Sequence, residues 1–207
     1  MDGLWGTLMS ILLLSGGIES TCLAYALRPR ICLTIDYGQV VAKSEISASK
    51  NICAALRLSH MAVKIDLRKF ATGIMAGKQQ SFPGGVPEWW PFRNQILISI
   101  AAIVSFKKSE AEVIIGTVKS DRRHKDGRRK FLATMDKLLQ YQEGSIRLRA
   151  PASQMSSEEL LDWAKPPLSL LGLTFSCHRS IYSCGQCRGC WKNESCVTYA
   201  ILRSKLG

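Results

Sequence analysis

Long apolar runs are missing from this chain. The longest, Ile96 to Val104, is broken by Ser99 and falls far short of the roughly 20 residues a helix needs to cross a bilayer. The opening Met-Asp-Gly-Leu-Trp has no basic stretch ahead of Leu12-Leu13-Leu14, so it makes a poor secretory leader. A soluble, cytoplasmic protein with no membrane partner is expected. Low-complexity tracts and internal repeats are also lacking, and 46% hydrophobic with 21% charged residues excludes disorder. With 207 residues, the chain is long enough for one full core, or a domain with a small appendage, without disulfide staples. Acids are scarce, 16 against 28 Lys and Arg, a formal charge of +12. That excess favours anionic partners (nucleotides, nucleic acid, an acidic protein surface, anionic lipid) without choosing among them, and it equally describes a merely soluble basic surface.

What is present alternates. Met9 to Leu14 reads as a buried strand, Ile18 to Leu27 as a helix stopped by Pro29, and Ile31 to Ile35 as a second strand. A helix over Val41 to Leu58 and a strand over Met61 to Ile65 follow. Phe70 to Pro91, rich in Gly and Pro, is too long for a simple connector and suits a lid or binding loop. Asn94 to Phe106 is apolar nearly all round and predicts a buried helix. Val113 to Gly116 and Ile146 to Leu148 read as strands, and Arg129 to Tyr141 as a helix. Ser156 and Glu159 form a Ser-x-x-Glu signature opening a helix to Lys165. The alternation predicts an α/β fold, a parallel five-stranded Rossmann-like sheet with helices on both faces. Ligands of such sheets lie beyond the C-terminal strand ends, so the informative turns are Ser15–Ser20, Asp36–Gln39 and Gly116–Gly127.

The first of these turns, Ser15-Gly16-Gly17-Ile18-Glu19-Ser20, matches neither G-x-x-x-x-G-K-[ST] nor G-x-G-x-x-G. Adjacent glycines still permit a tight strand-to-helix turn whose free amides, with the hydroxyls of Ser15 and Ser20, suit phosphate oxygens. A lone Ser-Gly-Gly is more often an ordinary turn. Near the other end, Cys177, Cys184, Cys187 and Cys190 stand within fourteen residues, a spacing suited to a closed tetrahedral zinc site, with an iron–sulfur cluster as the competing reading. Cys196 belongs to the last helix, and His178 reads as a neighbour of the ligands, not a fifth one.

Ser-Gly-Gly-x-Asp-Ser after a first strand marks the PP-loop ATP pyrophosphatases, which this chain resembles with Glu19 in place of the Asp. Glutamate keeps the charge but extends its reach by about 1.5 Å. Adding Asp36-Tyr37-Gly38-Gln39, Pro91-Phe92-Arg93-Asn94 and the late cysteine quartet, in that order, the chain resembles the 7-cyano-7-deazaguanine synthase (QueC) family over about residues 8–195. The resemblance implies an ATP-dependent, magnesium-requiring ligase that adenylylates the carboxylate of 7-carboxy-7-deazaguanine, lets ammonia form the amide, and then dehydrates it to the nitrile. It implies a PP-loop domain over residues 1–165, a zinc-bearing segment over 166–207, and a homodimer. It also implies an ATP site of Leu14, Ser15, Gly16, Gly17, Glu19, Ser20, Asp36, Tyr37 and Gln39. Ser15, Glu19, Ser20 and Arg93 would be catalytic, while Trp90, Phe92, Arg93, Asn94, Asp126 and Arg128 would take the acceptor, and the four cysteines zinc. Trp89, Trp90 or Phe92 would stack on the base, if these aromatics are not simply packed into the core.

Two departures stand out. Asp126-Gly127-Arg128 replaces the family's usual Asp-Cys-Arg, and Lys119 to Lys130 carries seven Lys or Arg with two acids. Together they motivate a diverged reading, in which the reaction stops at the amide or joins the activated base to a protein amine, as suits the QueC-like relatives of antiphage operons. A PP-loop tRNA-modifying enzyme and a non-catalytic nucleotide-binding scaffold remain as alternatives.

Overall fold

The computed structural model describes residues 9–80 and 86–205. Five strands, β1 (Ser10–Leu13), β2 (Ile31–Asp36), β3 (Ser59–Lys64), β4 (Glu112–Ile114) and β5 (Arg147–Arg149), form one sheet, all parallel, in the order β3-β2-β1-β4-β5. The register sets Ile11 beside both Ile31 and Val113. Helices α1 (Ile18–Leu27), α2 (Ala42–Leu56), α3 (Arg93–Lys107), α4 (Arg129–Tyr141), α5 (Ser157–Ala164), α6 (Leu168–Leu171) and α7 (Arg188–Ser204) complete it.

The central strands β1 and β2 are largely apolar and buried because both faces are covered, whereas the edge strands β3 and β5 carry polar and charged residues and are partly exposed. Side chains alternate along β1, sending Leu12 and Leu14 into a core with Ile18, Leu23, Ile52, Leu160 and Cys196, from helices α1, α2, α5 and α7. Ile11 points the other way, into a core with Leu33, Ile98, Ala101, Met135 and Leu139 under α3 and α4. α5 begins as its capping signature predicts: Ser156 Oγ accepts from the Glu159 amide at 3.1 Å, and the Ser156 amide donates to Glu159 Oε2 at 2.6 Å.

The all-round burial expected of α3 does not hold. Ile98, Ala101, Ala102 and Ser105 form the inward stripe, but Ile103 and Phe106 are 56% and 57% exposed. A helix lying on one face of a sheet buries only the stripe that meets it, and no second layer covers α3 among the described residues. The 66–92 stretch holds two short 3-10 turns, Arg68–Phe70 and Ile74–Ala76, and residues 81–85 of the expected lid lie outside the described residues. No described helix is long and apolar enough to cross a membrane.

Chain direction in the strand order reverses at β1. From β1 the chain moves to β2 and β3 on one side, then returns to β4 and β5 on the other, which opens a crevice between the C-terminal ends of β1 and β4.

Candidate functional site

A cavity of about 320 Å³ occupies that crevice, a volume suited to a small-molecule ligand. Leu14 and Ser15 enter it from β1, Ile115, Gly116 and Thr117 from the end of β4, and Arg93 and Asn94 from the start of α3.

Its floor is the loop between β1 and α1. Gly16 has φ +78°, and a Cβ there would come within 2.8 Å of Ala48 Cβ, so the sequence must place glycine at this turn. Ser15 Oγ lies 3.4 Å from both the Gly17 amide and Ser20 Oγ. Two hydroxyls and the first turn of α1 therefore converge on one point, a donor arrangement fit for phosphate.

Glu19, beside that loop, is engaged from two other helices. Ser157 Oγ of α5 donates to Glu19 Oε1 at 2.9 Å, and Lys192 Nζ of α7 lies 2.7 Å from the same oxygen. Lys192 also reaches Asp121 Oδ1 at 3.6 Å. Burial works against the Lys192 charge, but Glu19 and Asp121 outweigh it and hold its pKa above the ordinary lysine value.

A second charged group lies toward α3. Burial works against the Arg93 charge, but Tyr37, Asp126 and Glu45 beside it prevail and hold its pKa above the ordinary arginine value. Its Nη1 lies 3.2 Å from Met75 Sδ, and Asn94 Nδ2 donates to the Asp126 carbonyl at 3.3 Å. From the C-terminal segment come Glu88's partner Arg188, 3.8 Å away, and His178, whose imidazole burial holds neutral.

The sequence-derived site residues divide. Leu14, Ser15, Gly17, Glu19, Ser20, Tyr37, Arg93, Asn94 and Asp126 line the cavity. Gly16 lies just beneath it, while Asp36 and Gln39 are spent on the turn after β2: Asp36 Oδ1 accepts from the Gly38 amide and Gln39 Oε1 from the Tyr37 amide. The expected base stacking by Trp90 or Phe92 finds no support in their positions. Trp90 is 2% exposed and packs edge-on against Tyr37 at 4.9 Å, and Phe92 is 70% exposed, with neither on the cavity wall. Arg128 faces a separate shallow depression with Arg129, Lys130 and Gln154, because α4 begins just after it and carries it away from the crevice. Glu45, Glu88, Asp121, Arg188 and Lys192 line the cavity but carry no motif. Sequence offered only coarse signals for some of them: Asp121 lies in the Gly116–Gly127 turn, Glu88 in the Phe70–Pro91 stretch, and Lys192 precedes Cys196 by four residues on the same helix.

The four late cysteines come together, with ligand atoms within 4.8 Å of one another. The sulfur separations of 3.6 Å (Cys187–Cys190), 3.9 Å (Cys184–Cys190) and 4.0 Å (Cys177–Cys187) approach the roughly 3.8 Å of a tetrahedron with 2.3 Å metal–sulfur bonds. The Arg179 amide points at Cys177 Sγ at 3.4 Å, and the amides of His178 and Cys190 at Cys187 Sγ at 3.4 and 3.5 Å; at Cys177, burial is outweighed by such main-chain bonds, which bring the thiol down to about 6. A Cβ on Gly189 would collide with the Ser176 carbonyl, so the knuckle closes only around glycine. The cluster can hold one metal ion. Just ahead of it, the Phe175 amide donates to the Gly16 carbonyl at 2.8 Å, tying this segment to the floor of the cavity.

Fold and cavity define an α/β protein with a cavity at the switch point of a parallel sheet and, beside it, a four-cysteine cluster able to hold a metal ion. Residues 9–199 match the family described as queuosine biosynthesis protein QueC, and the chain belongs to that family. Among its relatives, a 7-cyano-7-deazaguanine synthase of Sulfurimonas denitrificans is 29% identical, with 87% of this chain and 88% of the relative covered. The 7-cyano-7-deazaguanine synthase 1 of Sulfurisphaera tokodaii is 28% identical over 94% and 95%. The synthase of Methanocaldococcus jannaschii is 23% identical over 95% and 97%.

Proposed function

We propose that this protein is an ATP-dependent carbon–nitrogen ligase that converts the carboxylate of 7-carboxy-7-deazaguanine to the amide and then to the 7-cyano-7-deazaguanine nitrile. One observation carries the reading: a single cavity has the Ser15–Ser20 loop on one wall and the Arg93–Asn94 pair on another, so a nucleotide and an anionic acceptor can meet. The names of its relatives support the product.

A carboxylate is a poor electrophile because its leaving group would be oxide. In the reading proposed here, a carboxylate oxygen attacks the α-phosphorus of ATP, the bond to the bridging oxygen breaks, and pyrophosphate leaves. Ser15, Ser20 and the α1 amides hold the phosphates, and Lys192 supplies the cation that the loop itself lacks. Glu19 and Asp121 offer the carboxylate oxygens that Mg²⁺ prefers, and such an ion supplies charge neutralisation at the phosphates. Arg93 grips the acid as a fork, and Asn94 reads a base edge. Ammonia then attacks the acyl carbon and AMP departs; a second ATP activates the amide oxygen for loss as AMP, leaving the nitrile. Residues 1–165 act as the nucleotide domain, and 166–207 carry a structural zinc that braces the loop through Phe175.

Mass spectrometry of purified protein with the acid, ATP, Mg²⁺ and ammonium tests this. Nitrile with AMP and pyrophosphate is expected. ATP binding with release of neither AMP nor pyrophosphate overturns it in favour of a scaffold.

A second reading sends the activated base to an amine on an acidic protein or a tRNA. It is favoured by the depression of Arg128, Arg129 and Lys130, which follows directly on the cavity residue Asp126. Amide or adenylate without nitrile, together with salt-sensitive binding of such a partner, is its signature.

A further inference from the structure

Glu45, in the first turn of α2, is a cavity residue that neither the phosphate loop nor the acceptor pair uses. Its backbone borders the loop: the Glu45 carbonyl is 3.3 Å from where a Gly16 Cβ would stand. Its carboxylate lies near enough to Arg93 to feel that charge, so the residue borders both the loop and the acceptor pair.

The carboxylate is held and half satisfied. Gln39 Nε2 donates to Oε2 at 2.7 Å and to the Ile35 carbonyl at 3.1 Å, while Gln39 Oε1 accepts from the Tyr37 amide at 2.9 Å. Gln39 is 4% exposed, so this clamp is rigid. Among the described residues Oε2 alone has a hydrogen-bond partner, which leaves Oε1 to the cavity.

The geometry points to Glu45 as the general base that takes the proton from the attacking amine. The inference rests on the ligase reading and adds a residue to it. When ammonia attacks the acyl adenylate, a C–N bond forms, the C–O bond to AMP breaks, and AMP leaves with that electron pair. The nitrogen must then lose one proton, which Glu45 Oε1 accepts and later passes to solvent. Adenylate formation moves no proton, because the acid attacks as its carboxylate, so Glu45 has work only in the second half of the reaction.

The environment suits the task. Burial pushes Glu45 up to about 7, against the opposing hydrogen bond from Gln39 and the charge of Arg93 on α3, while Asp36 at the end of β2 adds to the rise. The Tyr37 hydroxyl, also raised by burial, stays neutral beside it. A base poised near neutrality combines availability with driving force.

Two half-reactions separate this role from others. Exchange of labelled pyrophosphate into ATP, dependent on the acid, reports adenylation, and amide formation reports the attack. In E45Q, exchange is expected within about 3-fold of the native rate while amide formation falls at least 100-fold. E45D should recover part of the amidation with its pH dependence intact. For the native protein at constant free ammonia, amidation should rise with pH through about 7 as Glu45 loses its proton, with exchange flat. Equal losses in both half-reactions, or a raised KM for the acid with amidation intact, would overturn the inference and make Glu45 a substrate-reading or structural group. If E45Q does not fold by circular dichroism, the native pH profile decides: a flat amidation profile overturns it. Absence of exchange and amide in the native protein instead counts against the ligase reading itself.

Discussion

Lys192 Nζ lies 2.7 Å from Glu19 Oε1, although 173 residues separate them in sequence. The pair joins the phosphate-type loop after β1 to the helix that follows the metal cluster. It answers two features of the sequence at once. The loop has no lysine of its own, and its acid is a glutamate, whose extra length reaches both Lys192 and Ser157.

Replacing that cation should separate binding from chemistry. K192M is expected to lower pyrophosphate release by about 100-fold, the size of one lost charge-stabilising donor, with K192R recovering part of it. Rapid-quench measurement of pyrophosphate checks this. Since Glu19 and Asp121 raise the Lys192 pKa, the pair's contribution is complete below about pH 10 and fades only above the raised value. Neutral-pH profiles should therefore not report Lys192.

Two neighbouring glycines should respond differently to alanine. G16A forces a Cβ into φ +78° and to within 2.8 Å of Ala48 Cβ. It should cost about 2–4 kcal/mol, a Tm fall of roughly 4–16 °C. G17A, at φ −77° with its nearest neighbour 3.5 Å away, should leave Tm within about 2 °C. Thermal melts of both proteins are the check, and equal effects would contradict this geometry of the turn.

One zinc per chain is expected by elemental analysis. Chelation, or C187S, should lower Tm by on the order of 10 °C and abolish pyrophosphate release. The second effect follows from Phe175, whose amide holds the Gly16 carbonyl just ahead of the cluster, and from α7, which begins within the cluster and carries Lys192. Acidification should release the ion, because each ligand must be a thiolate. Metal loss with unchanged pyrophosphate release would separate the cluster from the site.

Local signals made much of the fold legible. The central strands read as short apolar runs and β3 as an alternating one, and the spacing between them leaves room for crossover helices, so a parallel sheet follows from the order of elements. Ser156 and Glu159 announced the start of α5, and Pro29 the end of α1. The same signals misjudged α3, since an apolar composition does not say how many sides of a helix will be covered; Ile103 and Phe106 stayed outside.

The site was legible only where chemistry is written in consecutive residues. The Ser15–Ser20 loop and the cysteine quartet are such local patterns, because a turn and a metal knuckle are closed by neighbours in sequence. A local pattern did not suffice for Trp90 and Phe92, although Phe92 stands in Pro91-Phe92-Arg93-Asn94: folding sent Trp90 into the core beside Tyr37 and Phe92 to solvent. Glu45, Asp121 and Lys192 come from separate stretches of chain and acquire their roles by meeting across the β1–β4 crevice. Sequence by itself determined the sheet, the loop and the metal cluster, since each follows from hydrophobic period or short-range geometry. Only the tertiary structure decided which charges face one another, because a charge's partner and its desolvation depend on contacts that no local pattern records.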